Sequence, residues 1–258
     1  MLAATLGAYA LAMTVGRGSF GARNGALLLG ALVGAALFVL AQKKVASPLL
    51  RLGMFRDAQL VGSLAMGLLV STVMMATLVV GPFYLSRALG LNAALVGLVL
   101  SVGPLVAALS GVPAGRIADR LGARRMTCAG LCLMAAGCLL LALLPASLGI
   151  PGYVGPLVVT TIGYALFQAA NNTAVMAGVS PAQRGVVSGM INLARNLGLI
   201  TGASVMGAVF AIASSSADIT SAPAGAVATG MHVTFAVAGA LIAIGLVIAA
   251  AALAKKPA

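Results

Sequence analysis

The sequence runs to 258 residues, 62% of them hydrophobic and 7% charged, with a mean hydropathy of +1.15. A water-soluble domain is normally about a quarter charged, so these few charges cannot coat a globule, and lipid is the solvent that fits such a surface. The net charge is +12 with only 4% aromatic residues, and the basic residues sit in short clusters between long uncharged runs. That pattern excludes a nucleic-acid stripe and is the one that orients membrane spans.

A spanning helix needs about 20 apolar residues. The charges divide the chain into eight candidate spans. Span A (2–16) is short, and no Lys or Arg precedes it, so it lacks the charged front of a signal peptide. Span B covers about 24–42, C 59–86, D 92–115 and E 126–145. Span F covers about 151–178, G 185–213 and H 229–254. No charge occurs from Met126 to Gln183, and Pro145, Gly149, Pro151 and Gly152 break that run into two spans. The fold class is therefore all-α and polytopic. Many of the 33 glycines stand four apart, as in Gly198 with Gly202 and Gly111 with Gly115, a spacing that lets helices approach closely in a bilayer. Spans C–E and F–H suggest two three-helix repeats, since the C–D and F–G junctions share a faint likeness.

The basic loops set the orientation. Lys43, Lys44, Arg51 and Arg56 lie between B and C. Arg116, Arg120, Arg124 and Arg125 lie between D and E. Arg184 lies between F and G, and Lys255 and Lys256 follow H. The positive-inside rule makes all of these cytoplasmic, with both termini inside a plasma (inner) membrane. The opposite loops hold only Arg87 and Asp218, apart from Arg17 and Arg23 between A and B, which run against the rule.

Residues 115–125 read GRIADRLGARR. Gly115 and Gly122 permit a sharp reversal between spans. Asp119 can take a basic partner or a helix N-terminus, and Arg120, Arg124 and Arg125 anchor the segment at the anionic leaflet. The segment resembles the signature loop of the major facilitator superfamily, G-x-(L/I)-A-D-(R/K)-x-G-(R/K)-(R/K), with one extra residue before the final pair. Pro181, Arg184, Gly185 and Gly189, then Asn192, Arg195 and Gly198, resemble the P-x-x-R-G-x-x-x-G and N-x-x-R-x-x-G pattern of drug-efflux members. Residues 48–55 (PLLRLGMF) resemble the segment before the second half of fourteen-span drug:proton antiporters.

The resemblance implies that residues 1–57 are two linker helices with a cytoplasmic loop, and that 58–258 are the C-terminal six-helix half. Met1 then falls inside the first linker helix, and six N-terminal spans are missing. It also implies that the signature loop governs conformational switching, and that Arg184, Gly185, Gly189, Asn192 and Arg195 serve interdomain gating. Arg195 lies about two turns into its span, and two roles are open to it: snorkelling to the interface, or pairing with a polar group.

Tyr164, Gln168, Asn171 and Asn172 fall near one face of span F. They suit either interhelical hydrogen bonds or a wall of the substrate cavity, which the first helix of each triplet (C and F) lines in this family. Span C offers Met66, Ser71, Thr72, Met74, Met75 and Thr77, the methionines suiting either packing or a promiscuous apolar site. His232, read as beginning span H, and the three cysteines, Cys128, Cys132 and Cys138, are read as structural.

These readings imply proton-coupled efflux of a lipophilic small molecule, cations included. No G-x-x-x-x-G-K-(S/T) loop, cofactor motif, metal cluster or nucleophile–base set occurs, so neither enzyme nor cofactor is expected. The partners expected are lipid, the small-molecule substrate, protons and the missing half, with no nucleic acid. No acidic residue lies inside spans C–H, so this chain alone is not expected to couple protons. Two other readings remain open on the sequence: a non-transporting half that depends on a partner or is a remnant, and an importer of sugars or organic anions on the same fold.

Overall fold

The computed structural model describes residues 2–14, 21–44, 52–215 and 222–254. Arg17, residues 48–51, Asp218, Lys255 and Lys256 fall outside the described residues. The described chain is helical: α1 (Leu2–Thr14), α2 (Ala22–Lys44), α3 (Ala58–Phe83), α4 (Ala93–Leu121), α5 (Ala123–Leu143), α6 (Gly149–Met176), α7 (Arg184–Ala213) and α8 (Ala224–Ala254). Seven of these, α2 to α8, are long and apolar enough to cross a membrane, while α1 is shorter. The chain is a multi-pass membrane protein.

Local chemistry sets the helix ends. The Asp57 carboxylate accepts from the amides of Gln59 (2.8 Å) and Leu60 (3.4 Å) to open α3, and the Asn92 side chain accepts from the Leu95 amide (2.9 Å) to open α4. At its far end α3 winds into a π-helical turn, Tyr84–Ala88. Prolines 82, 104, 113 and 156 lie inside helices; side-chain hydroxyls and neighbouring helices make such breaks tolerable in lipid.

Two boundaries differ from the sequence reading. The expected loop at 115–125 is almost wholly helix. α4 continues to Leu121, and Gly122 alone, at φ +91°, separates it from α5. That backbone conformation favours glycine. The charges mark where the chain leaves the apolar layer, and the helix runs on past it. Likewise α8 begins at Ala224, so His232 sits two turns in, its Nε2 3.1 Å from the Leu144 carbonyl.

Helices α3 to α8 form one bundle. α3 packs on α7 and α8, α6 packs on α4 and α5, and α5 packs on α8. Exchanging α3 with α6, α4 with α7 and α5 with α8 maps this set of contacts onto itself. α3 and α6 run antiparallel, since Ser63 meets Asn171 and Thr77 meets Tyr153. The arrangement is that of two inverted three-helix repeats.

Two crossings are close enough to need glycine. A Cβ on Gly202 would come within 2.9 Å of Thr72 Cα, and one on Gly163 within 2.7 Å of the Gly130 carbonyl oxygen. Gly111 and Gly115, at the same spacing, face open space. The buried centre holds Tyr153, Phe167, Phe210 and Phe235. α1 lies along α7 through a hydrogen bond between the Tyr9 and Thr201 hydroxyls and one from the Ser204 hydroxyl to the Met13 carbonyl, and Asn24 of α2 donates to Ala12 O at 2.7 Å.

Arg56, Arg116, Arg120, Arg124, Arg125 and Arg184 gather at one end of the six-helix bundle; at the other end, among the described residues, stands Arg87.

Candidate functional site

A cavity of about 320 Å³ opens between α3, α4, α6 and α7. Met74, Leu100, Pro104 and Leu157 make its apolar wall, with Thr77, Tyr153, Thr161, Tyr164 and Arg195 as its polar members. Arg195 is the charged residue among them. It stands eleven residues beyond the first residue of α7, so about 16 Å along the axis, a length of about half a hydrocarbon layer of about 30 Å. Its guanidinium carbon lies 5.9 Å from the centroid of the Tyr164 ring, within cation–π range. The Gln168 amide donates to the Tyr164 hydroxyl at 3.2 Å, which holds the ring in place.

Two polar stripes lead to this point from the arginine-rich end. On α7, Ser188, Asn192 and Arg195 recur at four- and three-residue steps, and on α6 Thr161, Tyr164, Gln168 and Asn172 do the same. Asn192 turns its amide to the Ser188 carbonyl (3.1 Å) and is exposed, as are Asn172 and Arg195. Exposed polar groups at membrane depth face protein or water rather than lipid.

The other candidates lie elsewhere. Asn171 is buried; its amide donates to Ser63 O of α3 at 3.3 Å, while its Oδ1 has no hydrogen-bond partner among the described residues. Ser71, Thr72 and Met75 turn to α7, and the Thr72 hydroxyl donates at 3.0 Å to Gly198 O of α7 and to Leu68 O of its own helix. Of the candidates on α3, Met74 and Thr77 reach the cavity. Thr161, and Leu100 and Pro104 of α4, also line it and do not stand out in the sequence. Paired Gly103-Pro104 inside a span is the available signal.

The signature segment is at the arginine-rich end. Gly115 is half-buried, and Asp119, Arg120, Gly122, Arg124 and Arg125 are exposed. Asp119 occupies the last turn of α4, where the helix dipole disfavours a carboxylate, and it makes no hydrogen bond or ion pair among the described residues. Arg184, Gly185 and Gly189 are exposed at the start of α7, and a Cβ on either glycine, or on Gly115, would meet nothing within 4 Å.

The family model described as Major Facilitator Superfamily matches residues 1–203 and 64–258. The chain belongs to the major facilitator superfamily. Among curated proteins, it is 31% identical over 169 residues to the uncharacterized transporter YebQ of Escherichia coli (strain K12), covering 66% of this chain and 37% of that protein. It is 27% identical over 179 residues to the multidrug efflux pump LfrA of Mycolicibacterium smegmatis, covering 69% and 36%. It is 28% identical over 193 residues to the multidrug resistance protein Stp of Mycobacterium tuberculosis, covering 72% and 34%. The chain thus spans little more than a third of the length of these relatives. Major facilitator proteins are transporters, and both the helical bundle and the two inverted repeats fit that class.

Proposed function

We propose that the chain supplies the C-terminal six-helix half, and two linker helices, of a secondary active carrier that exports small lipophilic compounds in exchange for protons. The observation that carries this reading is the mostly apolar cavity, whose wall holds a charged residue at mid-depth and which continues as polar stripes to one end of the bundle. Such a face fits neither lipid nor a packed core. It fits a water-filled pathway closed on its other side by a second six-helix bundle. Rocking of the two bundles about that pathway gives alternating access. The similarity to LfrA and Stp, whose names describe multidrug efflux and resistance, supports export of lipophilic compounds.

On this reading the arginine-rich end is cytoplasmic and the membrane is the plasma membrane. Gly115, Asp119, Arg120, Gly122, Arg124 and Arg125 form the switching segment. Arg184, Gly185, Gly189, Asn192 and Arg195 form the facing gate. Tyr164, Met74 and Gln168 serve the substrate wall. We assign the proton-carrying acid to the facing bundle, because among the described residues the acids, Asp57 and Asp119, both lie at the arginine-rich end and neither lines the cavity.

The reading is tested by efflux of ethidium from cells that contain this chain joined to its facing bundle. Efflux should continue when ATP is depleted under an imposed pH gradient and collapse on adding a protonophore. ATP-dependent efflux that ignores the protonophore would remove proton exchange from the account.

A further inference from the structure

We propose that the cavity selects lipophilic organic anions over cations of the same shape, with Arg195 as the group that receives the negative charge. The inference rests on the transporter reading above and names the substrate class of that same cavity.

Arg195 carries a fixed positive charge, because a guanidinium stays protonated. Its neighbours do not neutralise it. The stripes that reach it are made of Ser188, Asn192, Gln168 and Asn172, all uncharged. The described acids are distant: Asp57 caps the first turn of α3 and Asp119 ends α4, both at the arginine-rich end, about 16 Å along the helix axes from Arg195. The Tyr164 ring covers one face of the guanidinium at 5.9 Å. A π face offers a partial negative charge but no lone pairs to the five N–H donors. Those donors need an acceptor, and a carboxylate or sulfonate matches the guanidinium fork.

The rest of the site sets the remainder of the ligand. Met74, Leu100, Pro104 and Leu157 bound the space beside the charge. Its volume of about 320 Å³ is at the lower end of small-molecule sites, which run about 300–1,000 Å³. The ligand is therefore a compact apolar or aromatic body with one acidic group. A cation of the same shape would bring like charge against Arg195, and no carboxylate among the described residues lines the cavity to offset it. Export of a cation such as ethidium by the joined carrier then depends on acids of the facing bundle.

The test uses three ligands of one shape: 1-naphthoate, 1-naphthamide and 1-naphthylmethylammonium. Each is titrated calorimetrically into the purified full chain in phosphatidylcholine nanodiscs, with empty discs as the blank. The anion should bind about tenfold more tightly than the cation, with the amide between them. Arg195→Gln should abolish that preference while leaving amide binding in place, which shows that the cavity is intact. Arg195→Lys should keep part of it, since the charge remains and the fork is lost. Equal binding of cation and anion by the unaltered chain overturns the inference whatever the variants do, and so does a preference that survives Arg195→Gln. Binding of none of the three ligands overturns the cavity reading on which the inference stands.

Discussion

Replacing Gly163 with alanine should destabilise the bundle by about 1–3 kcal/mol, the range for forcing an extra carbon into a packed crossing. At Gly163 the new Cβ would stand 2.7 Å from the Gly130 carbonyl oxygen, 2.8 Å from the Met134 amide nitrogen and 2.9 Å from Leu133 Cβ. Two of these are backbone atoms of α5, which no rotamer change can move aside. Gly130 shows the same closeness in reverse, since a Cβ there would stand 2.6 Å from the Phe167 amide nitrogen. The two helices must part, and that weakens the dispersion attraction along their seam, a main source of helix association in lipid. Gly155 lies on the same helix, and a Cβ there meets nothing within 4 Å, so Gly155→Ala should change stability by less than about 0.5 kcal/mol. Thermal unfolding of the two purified variants in one detergent separates the cases. Equal stability would show that the α5–α6 crossing is looser than described.

The second large effect concerns Asp119. Its carboxylate is exposed, has no partner among the described residues and opposes the α4 dipole. It contributes little to the fold, and a charge kept where it gains nothing locally fits a contact made only in one conformation of the carrier. Asp119→Asn should leave the unfolding temperature of this chain unchanged. In the joined carrier it should slow ethidium export by about tenfold or more, the effect of losing one charge-assisted hydrogen bond of about 1.5–3 kcal/mol from one side of a two-state equilibrium. Ligand affinity of the cavity should stay the same. A variant that loses binding and rate together would place Asp119 in the substrate pathway instead of the switch.

The spans were legible because the membrane imposes its own length on apolar runs, and seven of the expected helices are present within a few residues. The helix ends were less so. Arg116, Asp119 and Arg120 mark the exit from the apolar layer, yet α4 carries on through them until Gly122, whose φ of +91° ends it. Polarity reports depth in the membrane, while backbone geometry reports where the helix stops.

The cavity was partly legible for a related reason. Tyr164 and Arg195 stand out as polar groups inside spans, and the structure sets them side by side. Leu100 and Pro104 do not stand out, because an apolar side chain reads alike whether it faces lipid, a packed helix or a cavity. Met74 and Met75 differ by one residue and are chemically identical. Close approach of Gly202 draws Met75 against α7 and leaves Met74 on the cavity side. That choice is made by tertiary packing between residues more than a hundred positions apart.

The most direct test of the account is proton-driven transport by this chain alone. The purified chain is reconstituted in liposomes, an inside-acidic pH gradient is imposed, and ethidium movement is followed against protein-free liposomes. The account predicts no movement above the protein-free control, because on the proposed reading the facing bundle supplies both the other wall and the proton-carrying acid. Movement of dye that tracks the pH gradient would show that these helices hold a complete proton-coupled pathway, and would contradict the two-bundle reading.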